Sequence, residues 1–231
     1  MTTLTVQVAL ADEDGFITFG DGYGMGDTET LTNNAKVRIG RDATTPEDYF
    51  GWVHLKNLTI AQGATINNAK LYLYWNASSG FGTLDPSEGM TVKAEDIDSA
   101  SKPTTYAAVN GWTLTSASAT VSSFIDAEDY DMDGFPDEEF AAGWYPSAGL
   151  EIKTIIQELV DRSGWDSGHH INLKLTPSAH DGSNDWTIDW TDCDTSSSSE
   201  VPQLAPKLVI DYTAAAESAA TSPAFSLFVD F

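Results

Sequence analysis

Asp129, Asp131 and Asp133 stand on alternate residues, Gly134 follows at once, and Asp137 comes four residues after Asp133. Read as a calcium loop, these are ligand positions 1, 3, 5 and 9, with Gly134 sixth for the sharp turn and the Phe135 carbonyl oxygen seventh. Calcium takes roughly six to eight hard oxygen ligands, and carboxylates on every second residue can wrap around one point. Position 12 is Phe140, where a bidentate glutamate is expected, so Glu139, Glu138 or a carboxylate from elsewhere must close the shell. The plain alternative is a solvated acidic turn. The register of aspartates and glycine argues against it, even in so acidic a chain. The expected site is Ca2+ held by Asp129, Asp131, Asp133, Phe135, Asp137 and Glu139. Such a loop pins structure and does not itself imply catalysis.

Tryptophans are the second group with chemical potential. Trp144-Tyr145, Trp165, Trp186 and Trp190 fall in or near segments that read as loops, and an exposed aromatic face can stack on a sugar. Any one tryptophan is more often core. Trp186 and Trp190, set among Asp185, Asp189, Asp192 and Asp194, are the best candidates for a glycan-binding surface. Catalytic patterns are weaker. Ser178, His180 and Asp181 are close in sequence but lack a nucleophile elbow, and a triad is a matter of geometry. With thirty-five acidic residues, carboxylate pairs say nothing about glycoside hydrolysis. His169-His170 reads as a turn after Gly168, since no cysteine or further histidine stands at metal-ligand spacing. A non-enzymatic protein is expected, with a hydrolase as the weakest reading.

The elements that must position these residues are mostly strands. Leu4, Val6, Val8 and Leu10 alternate with polar residues, and Val37, Ile39 and Phe50 to Leu55 carry the next strands. Ile66, Ala69, Leu71, Leu73 and Trp75 form one apolar face, with Lys70, Tyr72 and Tyr74 on the other. Met90, Val92 and Ala94 resume the alternation, and residues 112–121 are Ser/Thr-rich and extended. Leu150 to Val160 is the one expected helix, with Ile152, Ile155, Ile156, Leu159 and Val160 on a single stripe. Ile171, Leu173 and Leu175, then Lys207 to Tyr212, supply the last strands. Many short strands and one short α-helix predict an all-β, antiparallel β-sandwich, jelly-roll-like, with the calcium loop as an insertion. Residues 1–213 would form this domain. Residues 214–231 would be an Ala/Ser linker and a C-terminal strand in which Phe225, Leu227, Val229 and Phe231 alternate with Ser226, Phe228 and Asp230. A lone strand is not stable by itself, so it either packs on its own domain or docks on a neighbouring subunit.

Charge narrows the partners. Eleven basic against thirty-five acidic residues give a formal charge of −24. A phosphate backbone needs the opposite sign, so nucleic acid is excluded as a partner, and an anionic membrane surface is disfavoured. No apolar run approaches the roughly 20 residues of a spanning helix. The first residues lack a basic and then apolar pattern, so no signal peptide is expected in the chain as it stands. Cys193 is the single cysteine and admits no intrachain disulfide.

With the strands placed, Trp52 to Leu73 resembles the I-P-x-G-A-T-I-x-x-A-x-L-x-L segment of the DNRLRE or disaggregatase-related β-sandwich family, carried here by Ile60-Ala61-Gln62-Gly63-Ala64-Thr65-Ile66-Asn67-Asn68-Ala69-Lys70-Leu71-Tyr72-Leu73. Ile155 to Gly168 is similar to that family's helix and following turn, and Ala205 to Tyr212 to its closing strand. Together these span most of residues 4–213, with Ala61 standing where the family often has proline. The Asp129 loop resembles the calcium loops of dockerins and thrombospondin type 3 repeats, here as an insertion before the helix. The resemblance implies a carbohydrate-binding-like jelly roll of the kind found as non-catalytic modules of surface proteins and in phage structural proteins. The expected function is therefore a calcium-stabilised structural protein at a virion surface or outside the cell. Its partners would be other subunits, in a homo-oligomer or virion shell. The alternative is a carbohydrate-binding module.

Overall fold

The computed structural model describes residues 1–20, 29–33, 36–42, 47–75, 89–122, 124, 143–177, 186–190 and 204–215. The described elements, in chain order, are β1 (Thr2–Gln7), β2 (Asp14–Gly20), β3 (Thr30–Asn33), β4 (Val37–Asp42), β5 (Glu47–Leu58), β6 (Thr65–Trp75), β7 (Met90–Ala94), α1 (Tyr106–Asn110), β8 (Ala119–Val121), β9 (Gly143–Glu151), α2 (Lys153–Val160), β10 (His169–Pro177), β11 (Trp186–Trp190) and β12 (Lys207–Thr213).

Alternation in the chain sets the faces of the sheet. On β6, Ala69, Leu71, Leu73 and Trp75 are buried while Lys70, Tyr72 and Tyr74 are half-buried on the other side. Ile66 is also buried, three residues before Ala69, which breaks a strict period of two. The pairing explains the break. Tyr212 lies opposite Ile66 and Asp211 opposite Asn68, so Asn67 is an extra residue on β6, and the bulge returns Ile66 to the core face.

The fold is all-β and antiparallel, with the twelve described strands in one continuous sheet in the order β1-β12-β6-β11-β4-β5-β10-β7-β8. β9 joins at β6, and β2 joins at β5 and carries β3. Two arms are evident. β11 pairs with β4 through five residues but touches β6 through one pair, Trp190 opposite Trp75. The arms close on each other around that seam, β1 lying near β5 without sharing its ladder. One apolar core fills the space between, drawing Val6, Ile39, Leu55, Leu71, Leu173 and Ile210 from six different strands. The result is sandwich-like.

Helix α2 lies against β6 across the end of this core. Ile155, Ile156, Leu159 and Val160 are buried, as their spacing predicts. The expected start at Leu150 is not observed. Leu150 and Glu151 finish β9, and the Glu151 carboxylate accepts from Lys153 N and Ala69 N, both at 3.0 Å. An acceptor from the preceding strand thus satisfies a helix-end donor, and the negative charge suits the helix N-terminus. Gln157 bolts the helix to the sheet: its Oε1 accepts from Ile66 N at 2.8 Å and its Nε2 donates to Ala64 O at 3.0 Å.

A second helix, α1, was not expected. Thr105 accepts from Ala108 N at 3.2 Å as its N-cap, and the chain leaves at Gly111. It covers the outer side of β2 and β5. There Tyr106 and Val109 join Ile17 and Trp52 in a small separate core edged by Leu31, Phe50 and Trp112. Five residues carry too little periodicity to announce a helix, and β2, with Phe16 and Phe19 beside glycines, was likewise not expected as a strand.

Candidate functional site

The Asp129–Glu139 loop and the Phe225–Phe231 segment lie outside the described residues. So do Ser178, His180 and Asp181. Among the described residues no three histidine, cysteine or acidic side chains gather around a possible metal position.

The tryptophans divide. Trp190, expected to face solvent, is 1% exposed. It stands where β11 bridges the two arms, with the Phe124 ring 6.2 Å away. This corrects its assignment as an exposed sugar platform: the seam of the sandwich needs a large apolar plug, and polar neighbours in sequence hid that. Trp186 opens β11 opposite Arg41. Trp165 is core, donating from Nε1 to Ile60 O at 2.9 Å.

Trp144 is different. On β9 it is half-buried and pairs directly across the strands with Tyr74, their ring centres 5.3 Å apart. Tyr72 lies 6.3 Å from the same ring. Lys207, opposite Tyr72 on β12, places its ammonium 3.8 Å from the centre of the Trp144 ring and 5.1 Å from that of Tyr72. Gly149 sits beneath with φ +73°, and a Cβ there would lie 2.7 Å from the Tyr72 ring. Only glycine tolerates both the backbone and the contact. Three aromatic rings and one cation therefore form a half-exposed patch on the outer face of β9, β6 and β12. The outward alternation of Tyr72 and Tyr74 was the available signal; which strand would bring Trp144 beside them was not in the sequence.

A polar cleft of about 620 Å³ opens between residues 95–97, the 101–104 segment and the end of α1. Its lining includes Glu95, Asp96, Ser101, Lys102, Thr104 and Trp112. Neither Glu95 nor Trp112 was singled out from the sequence, because what joins them is the packing of α1. Arg162 fixes one wall through Asp96 and, from Nε, through Asp98 at 2.7 Å. Gly164 has no room for a Cβ, which would run into the Asp98 carboxylate. Lys102 is paired with Asp12 on the other wall.

Behind the cleft runs a buried relay. Asn172 Nδ2 donates to Glu95 Oε2 at 2.8 Å and to Ser101 O at 2.9 Å. Its Oδ1 must then accept, so the 2.7 Å contact puts the proton on His54 Nδ1. Burial pushes the His54 pKa down, partly offset by the bond to Asn172. Burial pushes the Glu95 carboxyl up, again partly offset by Asn172. His54 and His170 meet edge to face, ring centres 5.6 Å apart. The group is held in place, but it presents no nucleophile.

A second buried carboxylate, Asp189, is 3% exposed and is answered twice. Lys36 pairs with Oδ2, and Arg38 donates from Nε to Oδ1 at 2.6 Å and from Nη2 to Oδ2 at 2.9 Å. The bonds to Asp189 hold the Arg38 pKa above its ordinary value. Its guanidinium also lies 5.1 Å from the Tyr49 ring centre and 5.5 Å from that of Phe16.

No protein-family model matches the chain, and no curated protein matches it.

Proposed function

We propose that this chain is a non-enzymatic structural protein, a calcium-stabilised β-sandwich at a virion or other extracellular surface that assembles through contacts between subunits. The observation that supports it best is the patch of Tyr72, Tyr74, Trp144 and Lys207. Half-exposed aromatics gathered on one sheet face, with a cation among them, are the composition that carries contact energy in protein interfaces. On a chain of net charge −24 such a patch is also a place where two like-charged copies can meet without repulsion dominating. The resemblance to DNRLRE domains supports the same reading. So does the alternation of Phe225, Leu227, Val229 and Phe231, which suits addition to a neighbour's sheet edge. β1, at one end of the strand order of the described residues, is one edge that could take it.

Tyr74→Ser with Trp144→Ser should leave the sandwich folded and shift assemblies toward monomer in sedimentation velocity. A double variant that assembles like the parent removes the patch from the contact. The second reading, a carbohydrate-binding module, rests on the same rings, since a half-exposed indole edged by tyrosines can stack on a pyranose. It predicts that wild-type monomer is retained on a glycan array and that the double variant is not.

A further inference from the structure

We propose that the cleft beside α1 is a binding site for an organic cation, a primary ammonium group carried on a slender aliphatic or polar chain. The charges around the cleft decide this. Three ionised side chains line it: Glu95, Asp96 and Lys102. Lys102 is paired with Asp12, and Arg162 shares its one charge between Asp96 and Asp98, each through a direct ion pair. Glu95 is left over. Among the described residues its carboxylate receives one hydrogen bond, from the Asn172 amide, and no cation. A half-buried carboxylate without a counter-charge has lost part of its hydration, and one neutral amide offsets that loss only in part. A cation entering the cleft supplies what is missing.

The carboxylate geometry favours ammonium over guanidinium. Asn172 occupies Oε2, so Oε1 is the acceptor without a donor among the described residues. One free oxygen suits a compact, singly directed charge, whereas guanidinium is selected where both oxygens can be bridged. Asn172 is itself fixed by His54 and by Ser101 O, so Glu95 is oriented before any ligand arrives. The half-buried Trp112 lines the same cleft and brings an indole ring within reach of the ammonium or its methylenes. Ser101 and Thr104 add polar groups for the remaining N–H donors. A volume near 620 Å³ fits a small molecule or one long side chain. The net charge of −24 draws cations toward the surface and turns anions away. The site lies apart from the aromatic patch, and its test is independent of assembly.

The probe is 1,5-diaminopentane, titrated into the full chain at low salt and followed by the indole N–H signal of Trp112 and by calorimetry. The Trp112 signal should move and saturate. 1-Pentanol, the uncharged counterpart, should bind at least about tenfold more weakly, as should the diamine to Glu95→Gln, which keeps an acceptor for Asn172. If the Trp112 signal stays still, or if Glu95→Gln binds the diamine within twofold of wild type, attraction is diffuse and the site is refuted. If pentanol or methyl glucopyranoside binds as well as the diamine, the cleft is a neutral polyol site and the cation assignment fails. The diamine-against-pentanol comparison uses wild type alone and stands even if the variant does not fold.

Discussion

Asp189 and Glu95 are both carboxylates removed in part or in full from water, and the protein treats them in opposite ways. Asp189 sits at the seam of the sandwich, nearly inaccessible, with Lys36 and Arg38 on its two oxygens. Glu95 lines an open cleft and, among the described residues, has one amide for company. Position in the fold explains the difference. At the seam, water cannot follow, so an unanswered charge would cost many times what two ion pairs cost to assemble. At the cleft, solvent still reaches the group, so a single neutral donor suffices to hold it. Buried ionic groups that are fully matched point to architecture. One that is oriented but, among the described residues, unmatched is the ground for the proposed cation site.

Asp189→Ala should have the largest effect. It leaves Lys36 and Arg38 partly buried without their counter-charge, and breaking such a set costs about 3–5 kcal/mol. Urea unfolding at neutral pH measures it, with the midpoint falling at unchanged slope. A loss under about 1 kcal/mol, the range of exposed pairs, would make the seam no different from the surface.

The proposed calcium loop at Asp129 would be a third treatment of acid, with metal instead of lysine or arginine as the answer. Asp131→Ala with Asp133→Ala should abolish calcium binding and remove the calcium-dependent part of stability. That part is about 2.7 kcal/mol when calcium stands a hundredfold above its dissociation constant. Melting with and without calcium checks it, and the two curves of the double variant should coincide. A calcium-dependent shift that survives in the double variant refutes the loop as the site.

These three carboxylate settings were not equally readable in the chain. The calcium reading of the Asp129 loop needs only local residues, because the proposed ligands are set by spacing alone. The β6 strand and the apolar stripe of α2 were readable for the same reason, each being a period within one element. The role of Asp189 was not, because its partners lie about 150 positions away, Lys36 and Arg38 reaching it across β4 and β11. Trp190 was misread on the same strand, since its sequence neighbours are polar while its spatial neighbours are the two arms of the core. Glu95 and Trp112 depend on α1, whose five residues give almost no periodic signal. Sequence pattern speaks for sites built within an element and is silent on sites built between elements.

Asn172 links the cleft to the core, and Asn172→Ala should cost about 1–3 kcal/mol by leaving buried donors and acceptors without partners. It also bears on pH. The His54 pKa is held below its ordinary 6.5 chiefly by burial, so between that lowered value and 6.5 the unfolded chain binds more protons than the folded one. Stability is therefore lost as pH falls through that window. The other charges acting on this ring are His170 and Lys56, which lower its pKa, and Glu13, which raises it. Removing Asn172 deletes a hydrogen bond that favours the charged ring, so the loss on acidification should be steeper in the variant. Unfolding at pH 5 and pH 7 checks it, with both proteins carrying Glu95→Gln, because the same asparagine also holds the Glu95 pKa down and its loss there would act with the opposite sign. Equal pH dependence in the two proteins would mean that His54 does not titrate with folding.

Glu95→Gln should have the smallest effect, and its sign separates the two carboxylates most sharply. The carboxyl is held above its ordinary 4.5 by burial, so between 4.5 and that raised value the folded chain binds more protons than the unfolded one. Wild type thus loses stability as pH rises through this window, and the glutamine variant does not. At pH 4 the two proteins should be nearly equal. At pH 7 the variant should be level or better by up to about 0.5 kcal/mol, the usual range for a substitution outside the core. An Asp189→Asn variant should show no such gain, because there the charge is matched. If Glu95→Gln proves clearly less stable at pH 7, a cation already answers Glu95 within the folded chain, and the cleft has no charge to offer a ligand. If the variant is level in buffer but falls behind wild type once 1,5-diaminopentane is added, the missing counter-charge is the one the ligand brings.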